Sequence, residues 1–270
     1  MNNKKVVIIT GGSSGIGKSL AKEAVKRNNF VVITGRNYEN LLHTHKELES
    51  IKENSSYFVV SDVSKEEDCK KIIDETINKF GQIDILINNA GISMRALFSE
   101  LHLDVIKSLM NTNFWGTVYC TKFALPYIVQ QKGSIVAISS IAGFTPLPAR
   151  TGYAASKSAI HGFMNTLRLE TKKFGVHVMI AAPGFTSSNI RFTALTADGS
   201  PQKESPKDEE KMMSPDTVAY RIFNAIEKRK RQIIMTSQGK MTVFLYKFFP
   251  NFVDFLIYNH FKKEHNSPLQ

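Results

Sequence analysis

The chain has 270 residues, enough for one large α/β domain with a full hydrophobic core. Hydrophobic residues make up 42% and charged residues 22%, which excludes a wholly disordered chain. Two distant cysteines, Cys69 and Cys120, exclude a disulfide framework, so we expect a cytoplasmic protein.

The net charge of +11 is compatible with an anionic partner, but the one dense basic run, 228–231, has no nucleic-acid module around it. We therefore expect no nucleic-acid partner. Residues 1–5 lead directly into an apolar strand, so we predict no N-terminal signal peptide or membrane span.

Short apolar runs alternate with segments of helical spacing along most of the chain. Buried strands that alternate with helices predict a doubly wound, Rossmann-type parallel sheet of about seven strands, with ligands at its carboxyl edge. The predicted strands are 6–9, 30–33, 57–60, 83–87, 134–138, 176–181 and 232–235. The predicted helices are 16–28, 38–53, 65–80, 102–130, 153–174 and 215–229.

Two stretches lack this alternation. Residues 193–214 are polar and contain Gly199, Pro201 and Pro206, which predicts a long mobile loop that covers a site. The tail is aromatic and basic. We therefore divide the chain into a dinucleotide-binding and catalytic domain, 1–239, and an amphipathic C-terminal extension, 240–270.

A glycine-rich turn, TGGSSGIG, joins the first predicted strand to the first predicted helix. Glycines let the backbone approach a pyrophosphate, and the helix N-terminus offers N–H groups and partial positive charge. The position between strand and helix favours a dinucleotide site over an ordinary turn. The predicted cofactor-binding residues here are Gly11, Ser13, Ser14, Gly15, Ile16 and Gly17.

This turn resembles the cofactor motif of the short-chain dehydrogenase/reductase family, and the resemblance spans residues 4 to about 235. Within the family, the stretches AGIS, VAISSIAG, YAASK, ALTADGS and SPDTVA are most similar to the acyl/alkyl-dihydroxyacetone-phosphate reductase-like branch. The stretch GGSSGIGK is shared with 3-ketosphinganine reductases, which remain an alternative.

The end of the second predicted strand bears on which dinucleotide binds. Gly35 stands where NAD-preferring members of the family usually carry an acidic side chain, and the guanidinium of Arg36 suits a 2′-phosphate. This predicts NADP(H); an ordinary surface arginine is the alternative. The resemblance implies further cofactor contacts at Asp62, Val63, Asn88, Ala90, Gly91, Pro183, Gly184 and Thr186. For Asp62, a helix cap before Ser64 is the alternative.

Tyr153 and Lys157 stand at i and i+4, on one face of a helix. A nearby ammonium, together with the positive nicotinamide ring, favours the phenolate and lowers the pKa of a tyrosine, so Tyr153 is predicted to be the general acid in reduction and the general base in oxidation. The resemblance implies that Lys157 also binds the nicotinamide ribose. It implies that Ser140, thirteen residues before Tyr153, holds the substrate oxygen, and that Asn113 holds a water linked to the lysine.

These motifs predict an NADP(H)-dependent oxidoreductase that interconverts a ketone and a secondary alcohol by hydride transfer. A generic soluble carbonyl reductase is one alternative, and a non-catalytic NADPH sensor or scaffold is another. The resemblance implies a homodimer or homotetramer through helices 102–130 and 153–174. The seven histidines are scattered, so no metal site is predicted.

The tail is predicted to form two short amphipathic helices, because six phenylalanines fall in 241–261 while Pro250, Lys247 and Asp254 interrupt the stretch. One interpretation is peripheral membrane contact through 240–263, with a long-chain keto-lipid as substrate. The other is that the tail buries its aromatics on its own domain or on a partner subunit.

Overall fold

A computed structural model of the chain describes residues 4–204, 212–263 and 267–269. Seven strands form one sheet in the order β3-β2-β1-β4-β5-β6-β7, and every neighbouring pair is parallel. The predicted doubly wound sheet is thereby confirmed. The strands are β1 (Val6–Ile9), β2 (Phe30–Gly35), β3 (Ser56–Val60), β4 (Ile85–Asn88), β5 (Ser134–Ile138), β6 (His177–Ala182) and β7 (Gln232–Ile234).

The helices cover both faces of the sheet, and several begin or end at the residues expected of them. Ser214 caps the N-terminus of its helix by accepting from the Thr217 N–H, with Pro215 at the first helical position. Gly81 ends another helix in the left-handed conformation. The helices are α1 (Gly15–Lys26), α2 (Tyr38–Ile51), α3 (Glu66–Phe80), α4 (Leu103–Leu109), α5 (Gly116–Gln130), α6 (Thr151–Glu170), α7 (Pro215–Glu227), α8 (Ser237–Tyr246) and α9 (Pro250–Lys262).

The hydrophobic core has two layers because alternate side chains of each buried strand point to opposite faces. Ile9 and Ile33 pack with α1, α2 and α7 on one face. Ile8 and Val32 pack with α3, α5 and α6 on the other. The strands therefore form a rigid platform whose carboxyl ends share one edge.

The strand order reverses between β1 and β4, so the segments that follow these two strands diverge and leave a crevice at the carboxyl edge. The Thr10 hydroxyl accepts hydrogen bonds from the N–H groups of Asn89 and Ala90, both at 3.0 Å. The Asn89 side chain donates to the carbonyls of Thr10 and Gly11. The two segments at the switch point are thus tied together.

Two of the predicted helices differ from the structure. The helix predicted at 102–130 is interrupted by a π-helical turn, Met110–Trp115, between α4 and α5. The helix predicted at 153–174 begins at Thr151 and ends at Glu170. The tail forms two helices, α8 and α9, which pack against each other. None of the described helices is long and apolar enough to cross a membrane.

Part of the predicted loop 193–214, including Pro206, lies outside the described residues. The described part is held to the segment after β4. The Arg95 N–H donates to the Leu195 carbonyl at 2.8 Å, and the Leu195 N–H donates to the Ser93 carbonyl at 2.9 Å. Gly199 has a φ of +87°, which only glycine adopts readily. The loop therefore turns back over the carboxyl edge of the sheet.

Candidate active site

A cavity of about 1760 Å³ lies at the carboxyl edge of the sheet. Ligand pockets for single small molecules usually measure roughly 300–1,000 Å³, so this one has room for a dinucleotide and a substrate together. The glycine-rich turn and the end of β2 line one part of it, and the N-terminal end of α6 lines the middle. The loop 193–204 and the tail helices α8 and α9 line the remainder.

The glycine-rich turn between β1 and α1 is built so that only glycine fits. Gly11 and Gly15 have φ of +65° and +50°. A Cβ at Gly17 would lie 2.1 Å from the carbonyl oxygen of Gly11, and one at Gly11 would lie 2.9 Å from the Ala90 Cα. Ser14 is the N-cap of α1, and its side chain makes no capping hydrogen bond. The first turn of α1 therefore lies on the cavity wall without a side-chain cap from Ser14. The structure places all six predicted residues of this turn on the cavity wall: Gly11, Ser13, Ser14, Gly15, Ile16 and Gly17.

The four residues from Asn88 to Gly91 separate into two environments. Ala90 and Gly91 line the cavity, together with Asn89, which the sequence analysis did not single out. Asn88 does not line it. It is the last residue of β4, is buried, and donates to the Thr121 hydroxyl at 3.1 Å. The structure thus places Asn88 beneath the cavity wall, in a packing position.

The end of β2 carries the residues predicted to choose the dinucleotide. A Cβ at Gly35 would lie 3.2 Å from the Ser13 hydroxyl, so a larger residue would crowd the glycine-rich turn. Arg36 is exposed, lines the cavity, and has no hydrogen-bond or ion-pair partner among the described residues. Asn37 is committed to capping α2 by accepting from the Asn40 N–H. A guanidinium and no carboxylate therefore stand at this point of the wall.

Two further groups of predicted residues also line the cavity. Asp62 and Val63 follow β3, and the Asp62 carboxylate accepts from the Ser64 N–H and hydroxyl, so it serves a local turn as well. Pro183, Gly184 and Thr186 follow β6. The buried Thr186 hydroxyl donates to the Gly184 carbonyl at 3.0 Å, which fixes the path of this loop.

Tyr153 and Ser140 meet in the middle of the cavity. Ser140 follows β5 and caps a 3₁₀ turn by accepting from the Ala142 N–H, and its hydroxyl lies close enough to the Tyr153 phenol to act on the pKa of that phenol. Burial raises the pKa of Tyr153, and this outweighs the lowering by the Ser140 hydrogen bond and by the charges of Arg150 and Arg191. Lys157 is not among the groups that lower this pKa in the protein without its cofactor, so a lowered pKa stays a prediction for the complex with the nicotinamide ring. The phenol stays protonated at neutral pH and is suited to donate a proton.

Lys157 lies behind Tyr153, on the same face of α6. Its Nζ donates to the Ile138 carbonyl at 2.8 Å and lies 5.7 Å from the centre of the Tyr153 ring. The side chain is 5% exposed, and burial lowers its pKa from 10.5 to about 8. The structure thus keeps a cation in a nearly dry position beside the phenol, at a cost in stability.

Asn113 lies in the π-helical turn and is fully buried. Its side chain accepts from the Ile92 N–H at 2.8 Å and donates to the Ile92 carbonyl and to the Ser156 hydroxyl. A Cβ at Gly91 would lie 3.1 Å from Asn113 Oδ1 and 3.5 Å from Lys157 Nζ. Glycine at position 91 therefore leaves open the space that both polar groups border.

Behind Ser140 lies a supporting pair whose histidine was not predicted from the sequence. The Ser139 hydroxyl and His161 Nε2 lie 2.6 Å apart, and the His161 ring lies 4.1 Å from the ring of Phe144. Burial and the charge of Lys157 lower the pKa of His161 to about 4, so the ring is neutral at physiological pH. A sequence signal existed, because His161 stands at i+4 from Lys157, on the catalytic face of α6.

The tail helices also line the cavity. Thr236 caps α8 by accepting from the Gly239 N–H. A Cβ at Gly239 would lie 2.4 Å from Ile141 Cδ1, so the start of α8 packs directly on the residue after Ser140. From α9, Val253 and Ile257 line the cavity. The tail is therefore part of the cavity wall beside Ser140.

The residues present fit a nicotinamide dinucleotide. The glycine cradle, the uncapped start of α1 and the guanidinium of Arg36 are donors for phosphates, and they share one wall with Lys157 and Thr186. In the described ranges, no group of three or more His, Cys, Asp or Glu is placed to hold a metal ion.

Comparisons with known proteins agree with this geometry. The family described as short chain dehydrogenase matches residues 5–198. The chain is 35% identical to 11-beta-hydroxysteroid dehydrogenase-like 2 of Arabidopsis thaliana, over 94% of this chain and 80% of that protein. It is 34% identical to Dehydrogenase/reductase SDR family member 7B of Mus musculus, over 97% and 83%. The match to 11-beta-hydroxysteroid dehydrogenase A of Sesamum indicum is 41% identical, but spans only 53% of that protein.

Solved structures share the fold. A short chain dehydrogenase/reductase from Burkholderia phymatum in complex with NAD has a TM-score of 0.81, at 22% identity over 91% of this chain and 94% of that one. An alcohol dehydrogenase from Thermococcus sibiricus complexed with 5-hydroxy-NADP has a TM-score of 0.76, at 21% identity over 86% and 96%. The family match and the long alignments to the two relatives above establish that the chain belongs to the short-chain dehydrogenase/reductase family.

Proposed function

We propose that the protein is an NADP(H)-dependent oxidoreductase that interconverts a ketone and a secondary alcohol. The observation that carries this proposal is the placement of Ser140, Tyr153 and Lys157 on the wall of the cavity that the glycine-rich turn also lines. A protein that merely senses the dinucleotide has no need of a protonated phenol and a buried ammonium side by side.

Each of the catalytic side chains has its own role in the proposed reaction. When bound, the nicotinamide ring supplies or accepts a hydride. Ser140 holds the substrate oxygen by hydrogen bonding, and Tyr153 gives it a proton during ketone reduction or removes one during alcohol oxidation. Lys157 stabilises the phenolate that remains and binds the ribose. Asn113 and Gly91 keep open the polar space through which a water restores the proton to Lys157.

The preference for NADP(H) rests on the end of β2. Gly35 offers no carboxylate to the ribose, and Arg36 is exposed on the cavity wall with its guanidinium available to a 2′-phosphate. The residues proposed to hold the rest of the dinucleotide are those of the glycine-rich turn, with Asp62, Val63, Ala90, Gly91, Pro183, Gly184 and Thr186. Asn88 contributes by fixing β4 rather than by contact.

The substrate is proposed to be a long-chain keto-lipid. Leu245, Val253 and Ile257 of the tail give the far end of the cavity an apolar wall of the kind that suits an acyl chain. A hydroxysteroid is the second candidate, supported by the same wall and by the similarity to plant proteins named for 11-beta-hydroxysteroid dehydrogenase. The dihydroxyacetone-phosphate and 3-ketosphinganine branches fall within the first candidate. A generic soluble carbonyl reductase would show no preference for apolar chains.

We also propose that the protein is cytoplasmic and self-associates as a homodimer or homotetramer through α5 and α6. Self-association is supported by exposed apolar side chains on and beside these helices, with Trp115 at 43% and Leu169 at 73% exposure.

The test is turnover by the purified full chain, followed by the absorbance of the reduced nicotinamide, against a panel of short-chain ketones, acyl-chain ketones and ketosteroids. Tyr153→Phe keeps the ring and removes the proton donor, so we expect kcat to fall at least 10²-fold while the Kd for NADPH stays within a few-fold. Tyr220→Phe, an exposed tyrosine on α7, is the matched control. NADPH binding with no turnover on any carbonyl would indicate a sensor or scaffold instead.

A further inference from the structure

The two tail helices carry apolar side chains on their outer as well as their inner side. A surface helix of a soluble protein normally faces water with polar residues. Here the outward residues are mostly aromatic, and we call this set the tail surface. Each of its members is about half exposed or more: Met241 60%, Phe244 61%, Phe248 63%, Phe249 60%, Phe252 55%, Phe255 64%, Leu256 47% and Tyr258 47%.

The charges around the tail surface are mostly positive. Lys240, Lys247 and Lys263 are exposed, and Asp254 is the only acidic residue in 237–263. Aromatic residues rimmed by lysines suit the interface of an anionic bilayer, where rings enter the headgroup region and ammonium groups meet phosphates. Pairing two copies through this same surface would instead bring like charges together, because a two-fold contact places identical patches opposite each other. The charge pattern therefore favours lipid over a second copy.

The inner side of the same helices borders the site. Thr242, Leu245 and Val253 line the cavity from within. Met241 and Leu256 belong to both sides, since they line the cavity and are 60% and 47% exposed. These two side chains therefore stand at the mouth of the cavity, and that mouth opens on the tail surface.

We propose that the tail surface docks on an anionic membrane and that the cavity takes its apolar ketone directly from the bilayer through the mouth at Met241 and Leu256. Docking on the membrane is inferred from the residues of the tail alone. Uptake of the ketone from the bilayer rests on the proposed function. No helix has to cross the membrane, because α8 and α9 have 10 and 13 residues and are suited to lying in the interface.

Docking is tested by co-sedimentation of the full chain with vesicles of phosphatidylcholine containing phosphatidylserine. We expect Phe252→Asp/Phe255→Asp to bind at least tenfold more weakly, since two rings leave the interface and two charges repel anionic lipid. Phe174→Asp is the matched control. It is 44% exposed, lies before β6 at the opposite edge of the sheet, and should leave binding unchanged. Lys240→Glu/Lys247→Glu should weaken binding to the anionic vesicles and leave binding to pure phosphatidylcholine nearly unchanged.

Delivery is tested by comparing turnover of a long-chain ketone carried in vesicles with that of a small water-soluble ketone. The Phe252→Asp/Phe255→Asp variant should lose most of the first rate and keep the second. A wild type that ignores vesicles overturns the docking proposal, as does a variant that dissociates a dimer without a change in lipid binding. Vesicle binding without turnover of any ketone overturns the proposed function and leaves docking standing. Equal loss of both rates in a variant whose Tm matches that of the wild type overturns delivery through the mouth at Met241 and Leu256.

Discussion

Replacing Lys157 with methionine should stabilise the cofactor-free protein while abolishing its activity. The lysine is 5% exposed, and burial alone lowers its pKa from 10.5 to about 8. A folded state that binds the proton more weakly than the unfolded chain is destabilised wherever the unfolded lysine is charged. Methionine fills a similar volume with no charge to desolvate.

The magnitude follows from the two pKa values. The difference between 10.5 and about 8 corresponds to roughly 3 kcal/mol at neutral pH. Methionine forfeits the hydrogen bond from Lys157 Nζ to the Ile138 carbonyl, which is worth about 1 kcal/mol. The expected net gain is about 2 kcal/mol, or a Tm higher by roughly 4–8 °C.

The difference in stability between Lys157→Met and the wild type should depend on pH. Between about pH 8 and 10.5 the unfolded lysine keeps its proton while the folded lysine has lost it, so the wild type gains stability as pH rises. The gap between Lys157→Met and wild type should therefore shrink over that range. Urea unfolding of both proteins at about pH 7 and about pH 10 measures this. Lys26→Met, an exposed lysine on α1, should change stability by less than about 0.5 kcal/mol. A Lys157→Met protein less stable than the wild type at neutral pH would refute the reasoning.

Three further substitutions probe the cofactor wall and the pair behind Ser140. Arg36→Ala should cut the preference for NADPH over NADH, measured as a ratio of kcat/KM values, by about tenfold or more; a wild type that already prefers NADH contradicts the assignment. Gly17→Ala should weaken NADPH binding more than tenfold in titration calorimetry, because the added Cβ meets the Gly11 carbonyl at 2.1 Å, whereas Gly162→Ala meets nothing within 4 Å and should bind normally. The wild type should lose up to about 3 kcal/mol as pH falls from about 6.5 to about 4, because the unfolded chain takes up a proton that buried His161 refuses until about pH 4. His161→Gln should flatten that part of the stability profile, and an unchanged slope would assign it to other groups.

The sequence predicted best what local chemistry determines. The glycine-rich turn must fall between β1 and α1 because its backbone needs positive φ at Gly11 and Gly15. Tyr153 and Lys157 share a helix face because residues at i and i+4 of an α-helix always do. The alternation of buried strands with helices leaves few topologies open, and the right-handed crossover rule reduces these further. These features therefore needed no knowledge of distant contacts.

The sequence was less informative where one residue of register or a distant partner decides the environment of a side chain. β4 ends at Asn88, one residue later than predicted. Because neighbouring side chains in a strand point to opposite sides, Asn88 is buried below the cavity and Asn89 lies on its wall. The turn at 110–115 contains no glycine or proline, so its π geometry left no mark on the helical spacing. The packing of Gly239 on Ile141 joins residues about a hundred positions apart, which periodicity does not encode.

The structure of the tail is compatible with both interpretations that its sequence left open, which were packing on its own domain and contact with a membrane. Val243, Val253 and Phe261 are buried, so the tail does fold over its own domain. Its outward aromatics are nonetheless left uncovered, although burying them on the same domain would have been favourable. Both Lys157 and the tail surface thus keep an arrangement that costs the isolated protein free energy. Such costs persist at functional sites, where a ligand repays them on binding. For Lys157 that ligand is proposed to be the dinucleotide, and for the tail surface a lipid bilayer, so each should be more stable in its complex than alone.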